Sequence, residues 1–175
     1  MKVCILSDSH DHRDLLVRAA FDAREAGAKA VLHCGDIVAP STLKTLVQVG
    51  LPVHAVEGNN VGDTLNLCLL SAQTGGLITF HGRDARLTFA GRRIFLVHFP
   101  HYAYGIACTG EWDLVCCGHD HRFETRRVRT VAGGETVLLN PGTVGGVGAE
   151  ATYVLADLSS MDFVRRSVPG RDAPA

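Results

Sequence analysis

Seven side chains in this sequence have the chemistry of divalent-metal ligands, and each follows a short apolar run: Asp8, His10, Asp36, Asn59, His98, His119 and His121. Carboxylate oxygens, neutral imidazoles and an amide carbonyl form a mixed donor set that suits Mn, with Fe, Zn and Ni as alternatives. A carboxylate has two oxygens and can bridge two cations. Two ions roughly 3.5–4 Å apart can clamp a phosphoryl group and acidify a water between them. Two pairs stand two residues apart, and in extended backbone such residues share a face. The spacing therefore expects Asp8 with His10, and His119 with His121, each to reach one ion.

Each residue taken alone has a plainer reading. An Asp after a strand caps a helix or forms a turn. Gly35-Asp36 alone says little, and His98 alone is a hydrogen-bonded strand-end histidine. Five separate strand ends that all finish in ligand types are hard to obtain by chance, because burying such groups unpaired is costly.

The elements that must position these residues begin with residues 2–6, an apolar run that ends in Ser7-Asp8-Ser9-His10. A helix follows, with Asp11 as its expected N-cap, Leu15, Leu16, Ala19, Ala20 and Ala23 at helical spacing, and Gly27 as its stop. Residues 30–34 end in Gly35-Asp36, a second helix is expected from Pro40-Ser41 to near Gly50, and residues 53–56 end in Gly58-Asn59-Asn60. This alternation implies right-handed βαβ units, a parallel sheet and a ligand crevice at the carboxyl ends of its strands. The second half is richer in strands: 77–81, 85–89 and 93–97 around a turn at Ala90-Gly91-Arg92, then 114–117, a half-exposed 123–131, 136–139, 152–158 and 163–168. A short helix is expected within residues 102–110.

The chain has 175 residues, 46% of them apolar, which suits a single domain, expected over residues 1–168 with a loose tail over 169–175. A net charge of -1 leaves no basic excess for nucleic acid or a membrane surface. No signal peptide or membrane-spanning run is visible. The six cysteines form no CxxC, so a cytoplasmic protein with reduced thiols is expected.

The ordered set Asp8-x-His10, Gly35-Asp36, Gly58-Asn59, His98 and Gly118-His119-x-His121 resembles the calcineurin-like metallophosphoesterases over about residues 2–168. The start directly on the first motif strand, and Asn140-Pro141-Gly142-Thr143, resemble the small prokaryotic phosphodiesterase branch. The resemblance implies a four-layer α/β/β/α sandwich of two mixed sheets with a dinuclear metal site at the strand ends. It implies that Asp8, His10 and His121 hold one metal, that Asn59, His98 and His119 hold the other, and that Asp36 bridges them. A metal-bridging hydroxide would attack a small or nucleotide-like phosphodiester, with Asp36, Asn59, His98 and Asn60 as the catalytic group. It also implies a homo-oligomer, a dimer or tetramer.

Three departures from the family pattern bear on substrate. Many relatives carry a histidine directly after the ligand asparagine, where this chain has Asn60. An amide donates a hydrogen bond but does not shuttle protons near neutrality, so Asn60 argues against a phosphomonoesterase or dinucleoside polyphosphatase, the alternative activities. His-Gly-His is replaced by His98-Phe99-Pro100-His101, which alters the rim. His101 either reaches the metal edge or is a surface histidine, and Phe99 is a wall or, more plainly, core. Asp120 stands where Thr or Ser is common and is expected to support or face solvent rather than ligate. His12 either starts a helix or contacts phosphate; with Asn59, Asn60 and His101 it completes the expected substrate contacts. A retromer-complex subunit shares this fold as a scaffold, so a metal-binding interaction module with a degenerate site is the non-enzyme reading.

Overall fold

The computed structural model describes residues 1–170. Strands β1 (Lys2–Leu6), β2 (Ala28–His33), β3 (Val53–Ala55) and β4 (Ile78–Phe80) run parallel, and β10 (Thr152–Asp157) and β11 (Asp162–Ser167) add antiparallel to β1 in the order β11-β10-β1-β2-β3-β4. The second sheet has the order β5-β6-β7-β9-β8, from β5 (Asp84–Phe89), β6 (Arg92–Val97), β7 (Leu114–Cys116), β8 (Phe123–Arg129) and β9 (Glu135–Pro141). Within it β6, β7 and β9 are parallel and the edge strands β5 and β8 antiparallel. Both sheets are therefore mixed.

The central strands are apolar because each face meets a different core. On β1, Cys4 and Leu6 pack under the helices while Val3 and Ile5 pack between the sheets. On β6, Ile94 and Leu96 face the inter-sheet core, and Phe95 and Val97 face helix α4 (Pro100–Thr109). Three cores separate four layers, α/β/β/α: α1 (Arg13–Glu25), α2 (Pro40–Lys44) and α3 (Thr64–Gln73) cover the six-stranded sheet, and α4 covers the other. Cys116 and Cys117 point into different cores, and Cys4, Cys34, Cys116 and Cys117 are all buried.

Several local expectations change. Asp11 does not cap α1: the cap position is His12, and Asp11 accepts from Ala39 N–H at 3.0 Å and from the Thr42 hydroxyl, tying two loops together. Leu16, Ala19, Ala20 and Ala23 form the buried stripe of α1, whereas Leu15 is half-buried. The second helix is α-helical only over Pro40–Lys44 and tightens to a 3-10 turn over Thr45–Val49, which Gly50 ends at φ 73°. The expected short helix begins two residues earlier, at Pro100, whose missing N–H suits a first turn. Helix α3 was not foreseen. The cue was Asp63, whose carboxylate accepts from Asn66 N–H at 3.0 Å as an N-cap. On β8 only Val128 is buried, so this strand is an exposed edge rather than half-covered. At the C-terminal end, the Pro169 carbonyl accepts from Arg18, and residues 171–175 of the expected tail lie outside the described residues.

Candidate metal centre

The carboxyl ends of β1, β2, β3, β6, β7 and β9 meet along one edge of the two sheets. Backbone bonds lace their loops together: Asp8 N–H to Gly35 carbonyl at 2.9 Å, His10 N–H to Asp36 carbonyl at 3.0 Å, Gly118 N–H to His98 carbonyl at 2.9 Å. Thr143, just past β9, donates its hydroxyl to the Asp8 carbonyl at 2.9 Å. The Asn140 amide donates to the Gly118 carbonyl at 2.9 Å and to the Asp120 carboxylate at 2.6 Å, which gives Asp120 a supporting place.

The ligand-type residues leave the strands in strained backbone. Asp8 (φ 54°), His10 (φ 42°), Asp36 (φ 56°), His119 (φ 78°) and His121 (φ 58°) all sit in the left-handed region. Such strain persists only where the surroundings fix it, and it clusters at working sites. It also undoes the period-two argument for one pair. His119 and His121 do not share a face: His121 turns toward Asp8 and His10, and His119 toward Asn59 and His98.

Two half-sites result. In one, His10 Nε2 and His121 Nε2 lie 3.1 Å apart, and Asp8 Oδ1 is 3.9 Å from the first and 3.4 Å from the second. In the other, Asn59 Oδ1 lies 3.0 Å from His98 Nε2 and 2.8 Å from His119 Nδ1. Asp36 stands between them, with Oδ1 3.3 Å from His98 Nε2 and Oδ2 3.7 Å from His10 Nε2.

The donor chemistry fits cations at both places. His98 Nδ1–H donates to the Cys34 carbonyl at 2.8 Å, and His121 Nδ1–H to the Val147 carbonyl at 2.7 Å. Each of those rings, when neutral, therefore turns an Nε2 lone pair inward. The His98 lone pair faces two further acceptors, Asn59 Oδ1 and Asp36 Oδ1, and the His121 lone pair faces His10 Nε2 and Asp8 Oδ1. Acceptors converging on acceptors make a place that suits a positive ion. Asp8, His10 and His121, and separately Asp8, Asp36 and His98, bring ligand atoms within 4.8 Å of one another.

The two carboxylates are tuned in opposite directions. Burial raises the Asp8 pKa, against two bonds from the His119 N–H at 3.0 and 3.2 Å and the pull of His98 and His121. Burial also acts on Asp36, but the Asn60 N–H at 2.8 Å and Asn60 Nδ2 at 2.7 Å, with His98 and His10, hold it below the usual carboxylate range. The Asn60 amide, expected toward substrate, thus spends its side-chain donor on Asp36. His33 both fills the core and supports the site. It is buried, accepts from Gly35 N–H at 3.2 Å on Nδ1, and donates through Nε2 to Ser9 Oγ at 3.1 Å, while that hydroxyl donates to the Asp36 carbonyl at 3.4 Å.

The family model of the calcineurin-like phosphoesterase superfamily domain matches residues 1–161. The chain belongs to that superfamily. A curated relative, Phosphodiesterase MJ0936 of Methanocaldococcus jannaschii, is 26% identical over 150 residues, which is 83% of this chain and 86% of the relative. A solved archaeal phosphodiesterase superposes with a TM-score of 0.85 at 22% identity, over 95% of this chain and 99% of that one. Vps29 of Entamoeba histolytica, complexed with Zn2+, superposes with a TM-score of 0.65 at 16% identity, over 97% of this chain and 100% of that one. The two superpositions speak for the fold.

This phosphoesterase is thus a phosphoric ester hydrolase with metal-binding groups at its strand ends. Its Gly-Asn and Gly-His motifs have a steric cause. A Cβ on Gly58 would overlap Asp36 Oδ1, and one on Gly118 would overlap Ser7 Oγ and crowd Asp8 Oδ2 at 2.5 Å. His12 is exposed at the start of α1 and makes no capping bond with its side chain. His101 is exposed in the first turn of α4, its ring 4.2 Å from that of Tyr102. His54 and His81 pair with each other, Nδ1 to Nε2 at 3.0 Å, beside Phe89. Sequence reasoning passed over the carbonyls of Cys34 and Val147 and the Ser9 hydroxyl, which orient ligands from ordinary strand and loop positions. It also passed over Glu57 and Arg83 beside the Asn59 half-site. Among the described residues, no helix is long and apolar enough to cross a membrane.

Proposed function

We propose that this phosphoesterase hydrolyses phosphodiesters of small or nucleotide-like molecules with two divalent ions. Asp8, His10 and His121 would hold one ion and Asn59, His98 and His119 the other, with Asp36 shared. The observation that carries this reading is the Asp36 carboxylate, which presents one oxygen to each half-site, 3.3 Å from His98 Nε2 and 3.7 Å from His10 Nε2. When bound, two such ions supply an acidified water as nucleophile and positive charge for the phosphoryl oxygens. Mn is the metal to test first, because the donor set mixes hard carboxylates with imidazoles.

The chain's own part is orientation. Asn60 keeps Asp36 ionised and fixed in rotation by bonding both its oxygens. The His119 N–H reaches both oxygens of Asp8 and fixes its rotation, and the Cys34 and Val147 carbonyls fix which nitrogen His98 and His121 turn inward. Asn60 is no general acid, so leaving groups that depart without a proton, such as aryl oxygens, are favoured. That supports diesters with a good leaving group over alkyl monoesters, and the relative named a phosphodiesterase agrees with it.

The test strips the protein with chelator, restores Mn, and compares bis-p-nitrophenyl phosphate with p-nitrophenyl phosphate. We expect diester turnover that requires metal and falls at least about 100-fold in Asp36→Ala, as when a group carrying transition-state charge is lost. Failure to turn over the diester with Mn, Fe, Zn or Ni, despite two bound ions, would sink the reading.

A further inference from the structure

We propose that the cleft beside the Asn59 half-site binds the uncharged planar aromatic group, a nucleobase, of the ester this enzyme cleaves. The inference rests on the diesterase reading and names the part of the substrate that the metal centre does not touch.

The cleft has a volume of about 680 Å³, within the range that holds a small organic ligand. Asn59 and His98 are among its lining residues, so a group seated in it adjoins the candidate centre. Its walls are Phe95, Val97, Phe99, Tyr102 and Ile106, from β6, the loop after it and α4. Phe99, whose plainer reading was core, is only partly buried and stands edge-on to the ligand-type rings, 5.2 Å from His98 and 4.9 Å from His119 between centroids. Tyr102 is 58% exposed and meets Phe99 edge to face at 5.8 Å. Two aromatic rings at the mouth of an open cleft offer a π face to any base, because every base has one.

The charge of the rim narrows the class. Glu57, Arg83 and Asp84 also line the cleft, and each carboxylate already has an arginine beside it, with Arg86 3.9 Å from Asp84. Arg83 is already 3.3 Å from Glu57 and its side chain is 91% exposed. A polyphosphate chain would find the rim cations already matched by carboxylates, whereas an uncharged base needs none. The Phe99-Pro100 insert, which departs from the family pattern, is what starts α4 here and sets Phe99 into the wall.

Two measurements test this. The chelated protein is titrated with adenosine, with p-nitrophenol and with ATP by ligand-observed NMR. The Mn enzyme is assayed on thymidine 5′-(p-nitrophenyl phosphate). We expect adenosine to bind without metal and more tightly than ATP. In Tyr102→Ala both adenosine binding and KM should worsen by at least about 5-fold, the low end of what base–aromatic stacking supports, with kcat within about 2-fold. Tyr102→Phe should restore both, since the ring and not the hydroxyl is used. Binding of p-nitrophenol without adenosine would overturn the nucleobase assignment and give the cleft to aryl esters. Absence of binding by either aromatic, tighter binding of ATP, or an unchanged KM in Tyr102→Ala with turnover intact would overturn the proposal. If no metal restores turnover, the diesterase reading falls, and the titration in chelator still decides the cleft.

Discussion

Asn60 shows how one amide can matter without moving a proton. Its backbone N–H and its Nδ2 reach the two oxygens of Asp36 at 2.8 and 2.7 Å, so the carboxylate is held in one rotation and kept ionised. Hydrogen bonds to a charged group contribute about 1.5–3 kcal/mol. Asn60→Ala keeps the backbone bond and loses the other, so the chelated variant should be about 1–2 kcal/mol less stable at pH 7 in urea unfolding. The pH dependence follows from the depressed Asp36 pKa. A depressed carboxylate stabilises the fold above its unfolded pKa, near 3.9, and loses that contribution as pH falls through its folded value. The gap between wild type and Asn60→Ala should therefore close as the pH falls below about 4, and a gap that stays constant to pH 3 would show that the amide does not act through Asp36. Gly58→Ala is harsher. Its Cβ would occupy the place of Asp36 Oδ1, against backbone that cannot yield. We expect it to lose diester turnover at least about 100-fold while its circular dichroism stays native, and near-normal turnover would refute the steric account.

At the scale of elements, the site is what six strand ends do when they share an edge. The apolar runs and their terminal Asp, His and Asn were legible because a strand covered on both faces leaves polar residues nowhere to go but its end. Helix α3 was not legible. Leu67 and Leu70 are buried but Leu65 and Leu69 are exposed at 71% and 44%, so apolar residues lie on both faces and only the Asp63 cap marks the helix. The partition of His119 and His121 was equally hidden from spacing, because left-handed backbone at both residues breaks the two-residue period. The resemblance drew that partition where strand logic drew the other. His33, at the end of β2, carries a prediction of this scale. Burial, with lesser effects from His98 and His10 and against the pull of Asp36, lowers its pKa from 6.5 to about 3. The unfolded chain then takes the proton first. Stability owed to neutral His33 is complete above pH 6.5 and declines toward pH 3, with a slope of up to about 1.4 kcal/mol per pH unit. Asp8, whose burial raises its pKa, pulls the other way. The difference between wild type and His33→Gln in chelator isolates the histidine. The variant should show the shallower acid loss between about pH 6 and 4, and parallel curves would place His33 outside the pH response.

For the whole molecule, the candidate metal centre is also where stability is withheld. Five ligand-type residues occupy left-handed backbone, and inward lone pairs face carboxylate oxygens across 3.3 and 3.4 Å. The three apolar cores hold this arrangement in place, since the loops that carry it are bonded to strands buried on both faces. Ions that bind the folded chain alone should relieve the repulsion and stabilise by mass action. At a free concentration about 100 times Kd the gain is about 2.7 kcal/mol for one site, and for a chain of this size each kcal/mol moves Tm by about 2–4 °C. Restoring Mn to the chelated protein should therefore raise Tm by at least about 5 °C. The two half-sites make the response divisible. His121→Ala touches only the Asp8–His10 half and should keep part of the shift. Asp36→Ala touches both halves and should lose most of it, and in chelator it should unfold earlier than wild type because both Asn60 donors lose their acceptor. Calorimetry of the three proteins with and without Mn measures all of this. If Mn, Fe, Zn and Ni each leave Tm unmoved, the converging acceptors are not a cation site. If Asp36→Ala keeps the full shift, the carboxylate is not shared between the halves.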